Sequence, residues 1–281
     1  MTDRYDRQVR LFGAEGQARL RAAHVVLFGT GGNGSHVLQQ LAYAGVQHWT
    51  LVEFDTVDDT NLNRLVGAVP DDIGTDKIDV ADRLVRALHP DAEVTLIRGR
   101  LGDPDMQDEI VEALASATLA IGCFDLEIPR LEAVKLCSRA GIPYMDLATE
   151  IVPGDDDEEL VYGGRIVFSH DGKGCLVCLG IIDPAELARE QMSPEQRAER
   201  DRLYGLNPDE VGDSGPSVVT INGVVASLAC TEALMFLTGL REPARQLTYL
   251  GHNSVVRKNS TEGRVDCLYC HQWRATQSVT P

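Results

Sequence analysis

The sequence predicts an α/β protein with a mostly parallel sheet, and three observations lead to this fold class. Apolar strand-like segments alternate with amphipathic helix-like segments from residue 24 to residue 148, the pattern of parallel strands joined by crossover helices. The first strand enters a glycine-rich turn, GTGGNG at 29–34, which is typical of a nucleotide-binding β-α-β unit. After residue 150 the pattern indicates antiparallel strands. We therefore predict a Rossmann-like, doubly wound sheet with an antiparallel C-terminal extension.

Hydrophobic periodicity places the individual elements along the chain. The first part contains strands predicted at 24–29, 48–55, 93–97, 118–124 and 142–148, and helices predicted at 33–45, 76–88, 105–114 and 130–140. The second part contains a hairpin or antiparallel pair at 160–170, a polar helix at 185–204, an apolar helix at 223–239 and a last strand pair at 246–258. We expect a single domain over 1–281, divided into an arm (1–23), a nucleotide-binding half (24–150) and a second half (151–281).

Composition and charge exclude several classes of partner. Apolar residues make up 43% of the chain, but no uninterrupted apolar run approaches the length of a membrane span. The N-terminus, MTDRYDRQVR, has no apolar export segment, so we expect a cytoplasmic protein. The net charge is −17 and the pI is near 4.7, the opposite of the basic surface that nucleic acid requires. The acidic run at 154–159 is interpreted as a solvated loop.

Two C-x-x-C pairs carry the most specific chemical signal. Cys175 and Cys178 form the first pair, and Cys267 and Cys270 form the second. Four thiolates within tetrahedral reach suit Zn²⁺, whereas disulfides are disfavoured in a chain without an export signal and a redox pair would not need a twin. Because sulfur would fill all four positions, we predict a structural zinc site that ties the C-terminal tail to the antiparallel segment.

The other three cysteines have simpler interpretations. Cys137 and Cys230 lie at apolar phases of predicted helices, where a free cysteine usually behaves as a small buried hydrophobe. Cys123 ends a predicted strand beside the nucleotide edge, but no neighbouring residue in the sequence would lower the pKa of its thiol.

The glycine turn alone leaves the nucleotide undecided. Gly29, Gly31 and Gly34, followed by Glu53 or Asp55, fit a dinucleotide-binding dehydrogenase. The polar residues that come next do not fit one, because a dehydrogenase needs no set of amides and cations at the carboxyl edge of the sheet, where ligands of such folds bind. That set is Asn61, Asn63, Arg64, Lys77 and Asp125. Each residue alone has an ordinary explanation as a solvated loop residue or helix cap, but together they favour a triphosphate.

With these residues in view, the chain resembles the ThiF/MoeB/HesA family, which is similar to the adenylation domains of ubiquitin-activating enzymes. The resemblance covers nearly the whole chain. It rests on RYDRQVRLFG (4–13), GTGGNG (29–34), EFDTVDDTNLNR (53–64), Lys77, Asp125, both C-x-x-C pairs and GVVASLACTEALMFLTG (223–239). It implies ATP as the nucleotide.

The resemblance also implies roles for individual residues. The loop with Gly29, Gly31, Gly32 and Gly34 would lie under the adenylate, and Glu53, where the family often has Asp, would hold the ribose hydroxyls. Asn61, Arg64 and Lys77 would bind the triphosphate, and Asp125 would bind Mg²⁺. Arg7 would reach across a homodimer into the neighbouring site.

The resemblance further implies the reaction and its partner. The acyl substrate would be the C-terminal glycine carboxylate of a ubiquitin-like or sulfur-carrier protein, or of a short peptide, and the products an acyl adenylate and pyrophosphate. The half at 151–281 would be zinc-stapled and bind the partner, with the segment 179–215 crossing over the partner's extended tail.

The chain departs from the family pattern at two places. Many members carry a cysteine shortly before the apolar helix that accepts the acyl group as a thioester, but VGDSGPSVVTIN (211–222) has Asp213 and Ser214 there, and no cysteine lies between Cys178 and Cys230. A serine without a neighbouring base is a poor nucleophile, so we do not expect a thioester in cis. Phe124 and Leu126 flank Asp125 where polar residues are common in the family.

Four alternatives to adenylation of a carrier protein remain open from the sequence. A relative of this type could convert the adenylate of a short peptide into a stable phosphoramidate, or use Cys230 for a thioester. A non-catalytic nucleotide-binding scaffold is disfavoured by the intact Arg64, Lys77 and Asp125, and an NAD dehydrogenase by the set of polar residues beyond the glycine turn.

Overall fold

An eight-stranded sheet forms the centre of the protein. The computed structural model describes residues 4–152, 160–193, 195–197 and 215–277. Its strands are β1 His24–Phe28, β2 His48–Glu53, β3 Glu93–Arg98, β4 Leu119–Gly122, β5 Tyr144–Val152, β6 Val161–Ser169, β7 Gln246–Leu250 and β8 Val255–Asn259. They lie in the order β3-β2-β1-β4-β5-β6-β7-β8. The strands β1 to β5 pair in parallel and β5 to β8 pair antiparallel, so the predicted fold class is confirmed.

Helices cover both faces of this sheet. The principal α-helices within the described residues are α1 Asp6–Ala22, α2 Gly32–Ala44, α3 Lys77–Leu88, α4 Gln107–Ser116, α5 Glu127–Ala140, α6 Pro184–Glu190, α7 Val219–Thr238 and α8 Leu268–Gln277. Side chains of a strand alternate between the two faces. Accordingly, Val25 and Leu27 of β1 join the core under α1, α2, α3 and α7, and Val26 and Phe28 join the core under α4, α5 and α8. The predicted double winding is confirmed.

The predicted hairpin or antiparallel pair at 160–170 is a single strand. All of β6 pairs with β5 on one side, and Gly163 to Val167 pair with β7 on the other, both antiparallel. The apolar pattern of this segment reflects a strand whose last four residues, Ile166 to Ser169, are buried. Gly163 and Gly164 are paired within the strand and do not form a turn, so the segment continues straight through the sheet.

The predicted polar helix at 185–204 is wrong in its length. Helix α6 ends at Glu190, and Ser193 then accepts a hydrogen bond from the backbone N–H of Gln196 at 3.3 Å. The next residue in the sequence is Pro194, which has no N–H to donate and favours the start of a helix rather than its interior. Residues 198–204 lie outside the described residues.

Helix α7 is the apolar helix predicted at 223–239, and it begins four residues earlier, after the extended residue Val218. It packs against α1, α2, β5 and β6. Among the described residues it is the one helix that length and composition alone would allow to cross a membrane. Its buried residues, which include Val225, Ala229 and Ala233, belong to the central core.

Two helices of the structure lie where the sequence showed no helix. The N-terminal arm folds into α1, which is interrupted at Gly13 in the left-handed region (φ 72°). The second C-x-x-C pair leads into α8, whose Trp273 is fully buried and donates its indole N–H to the carbonyl oxygen of Ile142 at 2.9 Å. Packing against the rest of the protein decides both elements.

The turn between β1 and α2 requires glycine at two positions. Gly29 has a φ of 84°, and a Cβ there would lie 2.8 Å from the carbonyl oxygen of Cys123. A Cβ at Gly34 would overlap the carbonyl oxygen of Gly29. These two glycines let the first turn of α2 approach the end of β1.

We expect Gly34→Ala to lower the free energy of unfolding by about 3 kcal/mol, because the added methyl must displace backbone rather than a flexible side chain. The matched control is Gly31→Ala, since Gly31 has a φ of −68° and no atom lies within 4 Å of its Cβ position. The control should change the free energy of unfolding by no more than about 0.5 kcal/mol. Urea titration measures both, and equal stability of the two variants would contradict this account of the turn.

Candidate functional site

The glycine turn opens at the carboxyl edge of the sheet, between β1 and β4. Strand β1 has β2 on one side and β4 on the other, so the chain leaves in opposite directions from this point, where open α/β sheets bind ligands. Gly31 faces open space. It is also the N-cap residue of α2 and provides no side-chain cap. The first N–H groups of α2 therefore point toward a space suited to an anion.

Gly32 is small for a different reason. A Cβ at this position would lie 2.5 Å from Nδ2 of Asn222, a residue of α7. Asn222 is buried and belongs to a chain of hydrogen bonds in which Asn33 donates to Thr149 at 3.3 Å, Thr149 donates to Asn222 at 3.0 Å, and Asn222 donates to Ser217 at 3.0 Å. Gly32 thus faces protein, whereas Gly31 faces the open site.

Glu53 holds the glycine turn in place. Glu53 is buried, with 6% of the residue exposed. One oxygen of its carboxylate accepts hydrogen bonds from the backbone N–H and the hydroxyl of Thr30, at 2.7 and 3.2 Å. The other accepts from the backbone N–H groups of Phe54 and Asp55, at 2.8 and 3.1 Å. A ribose hydroxyl would have to replace one of these bonds, so the ribose role of Glu53 stays a prediction.

One of the predicted cations lies beside the turn, and the other pairs with a carboxylate that follows β2. The methylene groups of Arg64 contact Gly32, with Cδ 3.4 Å from the Cβ position of that glycine, and its guanidinium donates to Oδ1 of Asn63 at 3.1 Å. Lys77 begins α3, and its ammonium group lies 3.0 Å from the Asp55 carboxylate. The Lys77 side chain is 13% exposed and that of Asp55 is 45% exposed. This ion pair is therefore accessible to solvent on its Asp55 side.

Asn61 has a local structural role in the same loop. It forms a capping box with Asp58: the Asp58 carboxylate accepts from the Asn61 N–H at 3.1 Å, and Oδ1 of Asn61 accepts from the Asp58 N–H at 3.3 Å. These bonds fix the short 3-10 turn Asp59–Asn61 that leads to Arg64. The triphosphate role of Asn61 stays a prediction.

Asp125 follows β4 at the same edge of the sheet and is exposed. Before it, Phe124 packs near Phe28 with the ring centroids 6.1 Å apart, and after it Leu126 is 56% exposed. Phe124 therefore anchors the loop of Asp125 against β1, which explains an apolar residue at this position. Leu126 has no such role in the structure.

Cys123 connects this loop to the glycine turn. Its carbonyl is the group that Gly29 approaches. Desolvation raises the pKa of the Cys123 thiol well above its usual range, and the negative charges of Asp146, Asp125 and Glu53 add to the effect. The thiol is therefore protonated at neutral pH, in agreement with the expectation that nothing activates it.

A buried ionic cluster that the sequence analysis did not identify lies behind Asp125. Its members are Glu127, Arg130, Tyr144, Asp146 and Arg165. Arg130 donates to Oε1 of Glu127 at 2.8 Å and to the carbonyl oxygen of Phe124. Asp146 is fully buried and accepts from the Tyr144 hydroxyl at 3.1 Å. A charged residue inside each apolar strand, Asp146 in YMDLA and Arg165 in GGRIVF, is the sequence signal that would have located it.

The N-terminus of α5 is connected to the second half of the chain. The Glu190 carboxylate accepts hydrogen bonds from the backbone N–H groups of Glu127 and Ile128, at 2.7 and 2.8 Å. Glu190 ends α6, which belongs to the segment 179–215. The described part of this segment therefore contacts the start of α5, directly after the loop that carries Asp125.

The four cysteines of the C-x-x-C pairs come together as predicted. Neighbouring sulfurs lie 3.6 to 3.8 Å apart and all four lie within 4.8 Å of one another. Sulfurs about 2.3 Å from a tetrahedral metal ion lie about 3.8 Å apart. A hydrogen bond with Cys270 lowers the pKa of Cys175 to about 6, and the same contact raises the pKa of Cys270. A bound cation would stabilise both thiolates together, whereas in its absence the ionisation of Cys175 disfavours that of Cys270. The cluster could therefore hold a metal ion.

Cys137 and Cys230 pack in the core, as predicted. Both are buried, and desolvation raises the pKa of each thiol well above its usual range. The Cys230 thiol lies 3.8 Å from the carbonyl oxygen of Val37. Asp213 and Ser214, the residues at the usual position of a thioester-forming cysteine, lie outside the described residues.

Relatives with curated functions are similar to this chain over half or more of its length. The molybdopterin-synthase adenylyltransferase of Escherichia coli K12 is 29% identical over 244 residues, which is 86% of this chain and 84% of the relative. The sulfur carrier protein ThiS adenylyltransferase of the same organism is 28% identical over 272 residues, 95% of this chain and 94% of the relative. The SAMP-activating enzyme E1 of Haloferax volcanii is 32% identical over 161 residues, but the match spans only 58% of that protein.

The fold is also found among solved structures. The crystal structure of E. coli MccB with ATP matches with a TM-score of 0.71 and 21% identity, and covers 96% of this chain and 75% of that one. At this identity the similarity concerns the fold. The sequence model of the ThiF family matches residues 5–266. The chain belongs to the ThiF family.

Proposed function

We propose that this protein uses ATP to adenylate the C-terminal carboxylate of a ubiquitin-like or sulfur-carrier protein, releasing pyrophosphate. One observation carries the proposal: the open face of Gly31, Arg64 and Asp125 follow β1, β2 and β4, three neighbouring parallel strands whose carboxyl ends lie at the same edge of the sheet. Lys77, which pairs with Asp55 after β2, would add a second cation there. The adenylyltransferase relatives, which include one named for a sulfur carrier protein, support the proposal.

The chemistry requires positioning and neutralisation of charge. A carboxylate oxygen attacks the α-phosphorus, the bond to the bridging oxygen breaks, and pyrophosphate leaves with the electron pair. No general base is needed, because the carboxylate is ionised at neutral pH. Two anions must approach each other, so cationic groups lower the barrier. Arg64 and Lys77 would bind the phosphates, with Lys77 exchanging part of its contact with Asp55 for them.

A magnesium ion would complete this charge balance. Asp125 would hold it, because an exposed carboxylate at the carboxyl end of β4 is the hard oxygen ligand that Mg²⁺ prefers. The ion would supply charge neutralisation on the phosphates. Mg²⁺ is thus proposed together with ATP.

Arg7 would act in a neighbouring subunit of a homodimer. Arg7 is exposed at the start of α1. Tyr5, two residues before Arg7, is buried against Gly45, and Gln8 donates to the carbonyl oxygen of Ala44 at 2.6 Å. This places the arm at the C-terminal end of α2, and a helix of 13 residues separates it from the glycine turn by about 18 Å. The distance favours a site in the partner subunit.

Two variants of the reaction are second candidates. The match with structures of MccB, one of which contains the peptide MccA, favours a short peptide as the acyl substrate, with a phosphoramidate as the product. A thioester at Cys230 is disfavoured, because that thiol is buried and protonated. Mass spectrometry of the product separates the first candidate, and a reductant-sensitive adduct lost in Cys230→Ala would indicate the second.

We expect exchange of labelled pyrophosphate into ATP when the protein is mixed with its acyl substrate. The panel to be tested consists of the small β-grasp proteins of the same organism that end in glycine, each with and without its last residue. Asp125→Ala and Arg64→Ala should lower the rate by roughly 100-fold or more, because each removes charge neutralisation from the transition state.

The matched control for this exchange assay is Asp91→Ala, an exposed aspartate in the turn before β3, at the opposite edge of the sheet. This variant should keep the wild-type rate. Nucleotide binding without exchange for any member of the panel, and without modification of a peptide, would point to a non-catalytic scaffold instead.

We expect Arg7→Ala and Asp125→Ala subunits, each inactive alone, to regain activity when they are mixed. A mixed dimer has one site with both residues intact, so random association should restore roughly a quarter of wild-type activity. The exchange assay gives the rate, and analytical ultracentrifugation gives the oligomeric state. An active monomer would contradict the role of Arg7 in trans.

We propose that the metal of the four-cysteine cluster is zinc and that its role is structural, since four sulfur ligands leave no position for a substrate. Native mass spectrometry should find one zinc ion per chain, and Cys267→Ser should lose the ion and unfold at a lower temperature. Cys230→Ala, at a buried cysteine outside the cluster, should keep the ion. A metal-free protein from zinc-containing medium would contradict this assignment.

A further inference from the structure

The buried ionic cluster contains one arginine, Arg165, whose guanidinium donates no hydrogen bond to the described residues. Arg130 has close partners, Glu127 at 2.8 Å and the Phe124 carbonyl, and its Nε lies 3.6 Å from the Asp146 carboxylate. Among the described residues, the Arg165 guanidinium forms one ion pair, a long one of 4.0 Å with Asp146. Its Nε is buried without a hydrogen-bond partner among them, as is Oδ1 of Asp146.

The position of Arg165 is costly without a ligand. Its side chain is 22% exposed, and a charged group that is largely removed from water needs a hydrogen-bonded partner of opposite charge. Desolvation lowers the pKa of Arg165 and repulsion from Arg130 adds to this, while the attraction of Asp146, Glu127 and Glu150 opposes it without cancelling it. The nearest carboxylate, Asp146, is shared between two arginines and accepts no hydrogen bond from Arg165. An additional anion would complete the cluster.

The cluster borders the proposed adenylation site. Arg165 lies in β6 opposite Ala148, and β5 extends past the end of β4, where Gly122 pairs with Asp146. Arg165 is therefore two strands, or about 10 Å, from β4, beyond its carboxyl end. The Phe124 carbonyl that Arg130 holds immediately precedes Asp125, and the charge of Asp146 reaches Cys123 next to the glycine turn.

The two sides of the glycine turn carry different cations. Arg64 and Lys77 follow β2 and lie on its β2 side, next to Gly32 and Asp55. Arg165 lies on the β4 and β5 side, the side on which Glu190 of α6 contacts the start of α5. A triphosphate held by Arg64 and Lys77 leaves Arg165 facing the side from which the acyl group must approach.

We propose that Arg165 binds the carboxylate of the acyl substrate and so determines specificity for a free peptide C-terminus. This inference rests on the proposed function. A guanidinium presents a planar fork that matches a carboxylate with two parallel hydrogen bonds. Arg130 and Asp146 are positioning residues. The Asp146 carboxylate orients the Arg165 guanidinium through their ion pair. Arg130 contacts both the Asp146 carboxylate and the Phe124 carbonyl, and so fixes the loop of Asp125 relative to Asp146.

The test uses the full-length protein loaded with a non-hydrolysable ATP analogue and two probes: acetyl-Ala-Gly-Gly with a free carboxylate, and the same peptide as its C-terminal amide. By calorimetry or NMR titration, the wild type should bind the free carboxylate at least tenfold more tightly than the amide. Arg165→Gln should lose this preference, and Arg165→Lys, which keeps the charge but not the fork, should keep part of it. Affinity for the ATP analogue should change less than twofold in both variants.

The matched control is Arg257→Gln, in β8 on the same cross-strand row, since Arg165 pairs with Thr248 and Thr248 pairs with Arg257. This variant should bind both peptides as the wild type does. A preference that survives in Arg165→Gln, or is absent from the wild type, would overturn the proposal. A loss of ATP-analogue affinity equal to the loss for the peptide would make Arg165 a phosphate ligand instead.

Failure of the proposed function has a different appearance in the same experiment. In that case the wild type would not bind the ATP analogue, or would support no pyrophosphate exchange, whatever its preference between the two peptides. In the exchange assay with a productive substrate, Arg165→Gln should raise KM for that substrate at least tenfold and leave KM for ATP unchanged. Thermal unfolding verifies that each variant is folded.

Discussion

The site depends on how closely α2 approaches the end of β1. Gly29 adopts a left-handed conformation against the Cys123 carbonyl, and Gly34 leaves no room for a Cβ beside Gly29. A larger residue at Gly34 would push α2 away from the sheet. Because the approach is close, the free N–H groups of α2 face the switch point between β1 and β4, and the loops after β2 and β4 reach the same space.

Charge is distributed in two groups on either side of this turn. On one side, Arg64 lies in the loop after β2, and Lys77 at the start of α3 pairs with the more exposed Asp55. On the other side, the ionic cluster around Asp146 is buried between β5, β6 and α5. Exposed pairs adapt to a ligand at little cost, whereas a buried cluster is rigid and holds its groups in one geometry. The arrangement suits a reaction between a mobile nucleotide and a precisely placed acyl group.

The second half of the chain is connected to this site at several points. The four-cysteine cluster joins the segment after β6 to the start of α8, and α8 packs against α5 through Trp273. Helix α5 is in turn held by Glu190 from α6 and carries Arg130. Asn222 of α7 contacts the glycine turn. The parts expected to bind a partner therefore share rigid contacts with the loop of Asp125.

The sequence by itself determined the α/β class, the first five strands, the glycine turn and the four-cysteine cluster, because periodicity, glycine spacing and paired cysteines are local patterns with strong physical causes. The role of each glycine, the single strand at β6, the early end of α6 and the helix α8 depended on contacts between distant residues. Only the tertiary structure brought Arg130, Asp146 and Arg165 together, because they come from three separate elements. In the sequence, each of them is a charged residue with no sign of a link to the other two. Burial makes such charges interact strongly, and burial is a property of the folded chain rather than of any segment of it.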